Sequence, residues 1–178
     1  VIGGGGYVGS LLVKKLVEKR INVLVLDLFI YAPPEEVFSG FYDSEFLQVI
    51  KGDMRDIDLM ENLVSKSDNI IHLACISNDP SFELNPDLGK SINFDSFYPL
   101  VKVCKKKIDK FIYASSSSVY GIKNENNVTE DLSLEPLTDY SKYKAMCEDI
   151  LLNESGNKFC ATILRPATVC GYSQRTRL

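Results

Sequence analysis

The run Val1-Ile2-Gly3-Gly4-Gly5-Gly6-Tyr7-Val8-Gly9-Ser10 decides how this chain is read. Gly3, Gly6 and Gly9 join the end of a strand-like segment to the start of a helical pattern at the spacing G-x-x-G-x-x-G. Each glycine has a physical task in a phosphate-binding turn. Gly3 permits the tight turn, Gly6 lets backbone approach a pyrophosphate, and Gly9 lets helix and strand pack closely. The helix start that follows offers free N–H groups and the positive end of its dipole to phosphates. A merely flexible glycine-rich turn has the same composition, so the reading depends on what surrounds it.

Its surroundings favour a dinucleotide. Asn22 to Asp27 reads N-V-L-V-L-D, a short buried strand closed by Asp27 about 18 residues after Gly9. A carboxylate there can accept hydrogen bonds from an adenosine ribose. Leu28 and Phe29 follow, with no adjacent arginine to meet a 2′-phosphate, so NAD is expected over NADP. Gly52-Asp53-Met54-Arg55-Asp56 comes after the next strand. Asp53 there suits two tasks, accepting from the adenine amino group or capping a helix.

Further strands are expected at Phe46 to Ile50, Asn69 to Ala74, Lys110 to Ser115 and Lys158 to Leu164. Helical patterns lie between them, at Ser10 to Lys19, Ile57 to Ser65, Pro86 to Lys107 and Asp139 to Asn153, with Pro99 expected to kink or divide the third. Strands alternating with helices argue for an α/β protein, a doubly wound parallel sheet of Rossmann type in three α/β/α layers. The expected strand order is 3-2-1-4-5-6. Long connections at Leu28 to Glu45 and Ser116 to Leu137 mark the carboxyl strand ends, where such sheets bind ligands.

Composition sets bounds. The 178 residues are 45% hydrophobic, enough for one core, and the net charge of -4 gives nucleic acid no attraction. No apolar run approaches the roughly 20 residues of a membrane span, and no secretory leader is visible. Five scattered cysteines without a C-x-x-C pair fit small buried side chains in a reducing cytoplasm, not disulfides or zinc. With His72 as the single histidine, no metal site and no histidine triad are expected, and His72 reads as a satisfied core residue. Lys105-Lys106-Lys107 reads as a solvated helix end, and Gly121 to Glu130 as a solvated loop. The opening on Val1 and the ending on Arg177-Leu178 suggest residues 1–178 as a dinucleotide-binding domain cut from a longer protein.

The chemistry is carried by a serine run, Ser115 to Ser118, followed by Tyr140 and Lys144 as Y-x-x-x-K. Four residues apart on a helix, Tyr140 and Lys144 share a face. A phenol with a pKa near 10 is a poor base at neutral pH, and lowering it by about 3 units requires roughly 4 kcal/mol in favour of the phenolate. A nearby ammonium supplies much of that, and a serine hydroxyl can stabilise the oxygen that develops charge.

Taken together, G3-G-G-G-Y-V-G-S10, G52-D-M-R-D56, I71-H-L-A74, Asn93, F111-I-Y-A-S-S-S-S-V-Y-G121, Y140-S-K-Y-K144 and L164-R-P-A-T-V-C-G171 resemble the extended short-chain dehydrogenase/reductases, the NAD-dependent epimerase/dehydratases of nucleotide sugars. The resemblance implies Ser116, Tyr140 and Lys144 as the catalytic set, with Tyr140 and Lys144 also against the cofactor. It adds Tyr7, Val8, Leu73 and Ala74 to the cofactor groove, sets Asp53 and Met54 about the adenine, and brings Asn93 and Pro166 to the nicotinamide. Ser117, Ser118 and Thr168 fall among the substrate contacts. Two departures stand out. Ser117 and Ser118 occupy positions where sugar dehydratases resemble Asp-Glu, and hydroxyls are weak acids and bases for expelling water. Thr168 stands where many epimerases have asparagine. The implied function is epimerisation of a nucleotide sugar at C4; the oligomeric state stays open, though the family usually pairs as a homodimer through two helices. Two alternatives stand beside it: a 4-keto-deoxysugar reductase using NAD(P)H, and an idle NAD(H)-binding sensor or scaffold.

Overall fold

In the computed structural model, which describes residues 1–77 and 79–173, alternation along the second strand divides the core in two. Val23 and Val25 of β1 (Val23–Asp27) point to one face, and Leu26 to the other. On the first face, Val13 and Val17 of α1 (Tyr7–Glu18) pack beside Phe29 and Phe38. On the second, Leu26 meets a larger cluster from α3 (Ile57–Ser65), β3 (Asn69–His72) and the helices beyond it.

The strands are parallel. β1 pairs with β2 (Leu47–Lys51) from Val23↔Leu47 to Asp27↔Lys51, and β3 pairs with β4 (Lys110–Ala114), which pairs with β5 (Cys160–Leu164). Ile2 joins the two groups, bridging in parallel to Leu26 on one side and His72 on the other. Counting Ile2 as the first strand, the order is the expected 3-2-1-4-5-6, with the change of direction beside the glycine turn.

The helix expected over Pro86 to Lys107 is broken, though not by Pro99. It comprises α5 (Pro86–Lys90), capped by the Asn85 side chain, a π turn over Ser91–Asp95, and α6 (Phe97–Cys104). Pro99 sits in the first turn of α6, where its missing N–H has no intrahelical partner to lose. The wide turn at Ser91–Asp95 directs Asn93 inward. Short helices also occupy expected connections: α2 (Pro34–Val37), opened by its own proline, and α4 (Asp79–Glu83). The final helix, α7 (Asp139–Glu154), starts at a capping box in which Thr138 and Ser141 satisfy each other's backbone N–H groups. The cysteines divide. Cys104 and Cys147 are buried as expected, whereas Cys160 on β5 and Cys170 after it are exposed.

Candidate active site

At the cofactor end the site is a meeting of backbones. Gly3 has φ +82°, and a Cβ there would stand 2.4 Å from the Ala74 nitrogen. A Cβ at Gly9 would stand 2.4 Å from the Gly3 carbonyl oxygen. These two glycines are demanded by the fold itself. Among the described residues, the one neighbour within 4 Å of a Cβ added at Gly6 is the Gly3 oxygen at 3.4 Å, an ordinary contact, so the fold leaves room on that side. Gly6 precedes α1, whose first turn carries no side-chain cap and so offers its N–H groups to an anion.

Asp27 is fixed at the strand end by accepting from the Gly5 N–H at 2.9 Å and the Phe29 N–H at 2.8 Å, one bond to each carboxylate oxygen. Each oxygen retains acceptor capacity for a ribose hydroxyl. An open cleft of about 800 Å³ gathers Gly3, Gly6, Asp27, Asp53, Met54 and Ala74 along its wall, with Leu73 beside them. Asp53 accepts from the Nε–Nη2 edge of the Arg55 guanidinium (Nε to Oδ1 3.0 Å, Nε to Oδ2 2.9 Å), which holds its carboxyl below the usual carboxylate range. The cap of α3 is Asp56, accepting from the Leu59 N–H, so Asp53 is free of that task. Tyr7 lies at the rim, its hydroxyl donating to the Gly171 carbonyl, and Val8 is exposed. The backbone approach at Gly3, the uncapped helix start and the anchored acid at Asp27 suit a dinucleotide diphosphate and its ribose.

The cleft continues to Cys75, and there the site becomes a meeting of side chains. Tyr140 and Lys144 are 9% and 5% exposed, so the Y-x-x-x-K pair is no surface ornament of α7. Ser116 opens the short 3-10 turn Ser117–Tyr120, accepts from the Ser118 hydroxyl at 2.9 Å, and its hydroxyl acts on Tyr140. The Ser117 N–H donates to the Pro166 carbonyl at 2.9 Å, which ties the stretch after β5 to the serine run. Thr168 on that stretch is exposed. Lys144 donates to the Ala114 carbonyl at 2.7 Å and lies 4.8 Å from the centre of the Tyr113 ring and 6.0 Å from that of Tyr140. Burial pushes the Tyr140 phenol above its ordinary range, the neighbouring Cys75 adds to the rise, and the Ser116 hydroxyl opposes it. Asn93 clamps the cleft wall from the π turn: its amide accepts from the Ile76 N–H at 2.8 Å and donates to the Ile76 carbonyl at 3.0 Å.

Two features escaped the sequence reading. Behind the serines, Glu148 is 1% exposed and accepts from Ser115 and from the Arg165 guanidinium (3.0 Å from Nε). Arg165 also donates to the Tyr120 hydroxyl at 2.9 Å. Glu148 continues the face of Tyr140 and Lys144 at the same four-residue step, a spacing that could have identified it. The second is Asp79, which acts electrostatically on Tyr140. His72 is buried in the core as expected but not satisfied, since its Nδ1 has no hydrogen-bond partner among the described residues. Burial first, and then the charge of Lys144, lower its pKa to about 3.

Known proteins share this sequence pattern and fold. UDP-glucose 4-epimerase of Lactobacillus helveticus is 31% identical over 179 residues, covering 97% of this chain and 52% of that protein. The crystal structure of UDP-glucuronic acid 4-epimerase from Bacillus cereus in complex with NAD superposes with a TM-score of 0.83 at 30% identity, over 98% of this chain and 57% of that one. UDP-N-acetylglucosamine 4-epimerase from Methanobrevibacter ruminantium M1 gives 0.83 at 29% identity, over 92% and 52%. The chain thus spans about half the length of these relatives. The sequence profile of the NAD dependent epimerase/dehydratase family matches residues 1–178 throughout, and the chain belongs to that family.

Proposed function

We propose that this chain is the NAD-binding part of a nucleotide-sugar epimerase that inverts C4 through a transient 4-keto sugar. The observation that carries the reading is the gathering of Ser116, Tyr140 and Lys144 at the Cys75 end of the glycine-lined cleft. The 4-epimerases among its relatives support the same choice.

NAD, when bound, supplies a hydride acceptor that returns the hydride within one turnover. Gly3, Gly6, Gly9 and the start of α1 would hold its pyrophosphate, Asp27 the adenosine ribose, and Asp53 and Met54 the adenine edge. Leu73 and Ala74 line the groove, and Asn93 keeps that lining in place through Ile76. The Lys144 ammonium holds ribose hydroxyls. Tyr140 takes the C4 hydroxyl proton on its phenolic oxygen as the carbinol becomes a ketone, and gives it back after the ketone has turned over. Ser116 donates to the sugar oxygen throughout. Burial, Cys75 and Asp79 oppose the phenolate and Ser116 favours it, so its formation rests on Ser116 and on the positive charge of Lys144. Ser117 and Ser118 offer no strong acid or base, which favours epimerisation over loss of water.

A reducing cytoplasm suits the five free cysteines, and exposed Tyr98, Met146 and Leu152 on α6 and α7 suit pairing with a second copy. Among the described residues no helix is long and apolar enough to cross a membrane. The test is to purify the complete protein, denature it and identify the released nucleotide by mass spectrometry. Near-stoichiometric NAD that survives dialysis is expected of a cofactor recycled in place. An empty site that takes up added NADPH would favour a reductase instead.

A further inference from the structure

One wall of the cleft, from β3 to α5, brings a second acid toward the reacting tyrosine. Cys75, Ser77 and Ser81 of this segment line the cleft. Within it, α4 is locked to α7 by aromatic contact. The Phe82 ring lies 5.8 Å from that of Tyr143, which in turn stacks on Phe94 at 5.1 Å. Phe82 is 3% exposed and seated against Gly89, where an added Cβ would come within 2.5 Å of the ring. Asp79 precedes Phe82 by three residues, and Tyr140 precedes Tyr143 by three. Residues three apart share a helix face, so Asp79 lies on the face of α4 that packs against α7.

Asp79 Oδ1 is buried and has no hydrogen-bond partner among the described residues. A buried carboxylate oxygen without a donor is costly, and where a native protein leaves one it calls for a functional or structural reason, a bound donor among them. The other nearby carboxylate, Glu148, is already engaged by Ser115 and Arg165. The charge of Asp79 is among the influences that raise the pKa of Tyr140, after burial and Cys75.

We propose that Asp79 is a sugar-binding residue, its carboxylate accepting a hydrogen bond from a hydroxyl or amino group adjacent to the reacting carbinol, so that the enzyme selects sugars bearing a donor there. The role rests on the epimerase reading.

The experiment uses the full-length holoenzyme. UDP-, dTDP-, GDP- and CDP-hexoses are screened for epimerisation, and the best substrate is then compared in wild type, Asp79→Ala and Asp79→Asn. Its 3-deoxy-3-fluoro and 6-deoxy analogues are run in parallel, since neither modified position donates. Asp79→Ala should lower kcat/KM by about 10- to 100-fold, the worth of a hydrogen bond to a charged group. Asp79→Asn should recover part of the loss, and neither variant should melt below wild type. One analogue should slow wild type by a similar factor and slow Asp79→Ala no further. Unchanged kcat/KM in Asp79→Ala overturns the inference and leaves the epimerase intact. So do losses from variant and analogue that multiply, or a loss of activity that only tracks a fall in Tm. A wild-type enzyme that turns over no sugar in the panel counts against the epimerase reading and, through it, against this role.

Discussion

At the Gly3–Gly9 end the cleft is made of backbone, whereas at the Ser116–Tyr140 end it is made of buried side chains. The first end excludes Cβ atoms: Gly3 and Gly9 stand where Ala74 and the Gly3 carbonyl leave no space for one. The second end is crowded with polar groups, and Tyr140, Lys144, Ser115 and Glu148 are all at most 9% exposed. The difference teaches where each kind of change will act. Backbone cradles fail by sterics, which disturb fold and cofactor together. Side-chain sites can lose their chemistry while the fold survives, provided every buried group keeps a partner.

Tyr140→Phe is the sharpest case. It removes one oxygen from the side-chain end and leaves the ring in place. Turnover should fall by about 100- to 10,000-fold, the usual worth of a positioned acid–base group. NAD binding, measured by calorimetry on the full-length protein, should change little. Unchanged turnover would remove Tyr140 as the base. Glu148→Gln comes next and tests the support behind the serines. Breaking a buried ion pair by removing one charge costs about 3–5 kcal/mol, since Arg165 is left uncompensated. Chemical denaturation should show that loss, and the double change Glu148→Gln, Arg165→Met should recover part of it. Equal stability of the single variant and wild type would mean that the Ser115–Glu148–Arg165 network holds nothing in place.

The same contrast explains what could be read in advance. The cofactor end is local. Three glycines and an acid at a strand end lie within 27 residues, and their spacing encodes a turn, a helix start and the acid proposed to meet the ribose. The strand order followed from the same alternation, down to Ile2 as the stub between β1 and β3. The chemical end is assembled from four separated stretches, around Cys75, Ser116, Tyr140 and Arg165. Spacing could relate Tyr140 to Lys144 because they share one helix. It could not relate Arg165 to Glu148, or Asp79 to Tyr140, because those meetings depend on how α4, α7 and β5 dock. The break near Pro99 was misplaced for a similar reason. Proline gives a local signal, while the π turn at Ser91–Asp95 is fixed by Asn93 reaching across to Ile76.

Two glycines separate the steric causes at the backbone end. Gly9→Ala forces a Cβ to within 2.4 Å of the Gly3 oxygen and 2.8 Å of Gly4, so strand and helix must part. A cost of about 1–3 kcal/mol is expected from such overpacking, with NAD affinity lost as well. Gly6→Ala meets the Gly3 oxygen at 3.4 Å and keeps a backbone conformation open to alanine (φ -79°, ψ -179°). It should therefore fold like wild type and weaken NAD alone, by tenfold or more on the order of a single crowded phosphate contact. Melting and cofactor titration of the two variants check this. Equal destabilisation by both would mean that Gly6 serves the fold and not the phosphate.

His72 stands where the two ends join, paired with Ile2 on the strand stub and lying near enough to Lys144 to feel its charge. Its folded pKa of about 3 lies well below the ordinary 6.5, because burial and then Lys144 disfavour the imidazolium. Between those values the unfolded chain binds a proton that the native protein refuses. Stability from this residue is therefore complete above about pH 6.5 and is lost as the pH falls toward 3. The slope is about 1.4 kcal/mol per pH unit, or about 2 kcal/mol by pH 5. His72→Phe keeps the ring among Phe97, Phe111 and Tyr113 and removes the titrating nitrogens. Urea denaturation at pH 7 and pH 5 should show the variant losing about 2 kcal/mol less than wild type over that interval. Identical losses in the two proteins would mean that the imidazole is protonated in the native state, and that the orphaned Nδ1 finds an acceptor on acidification.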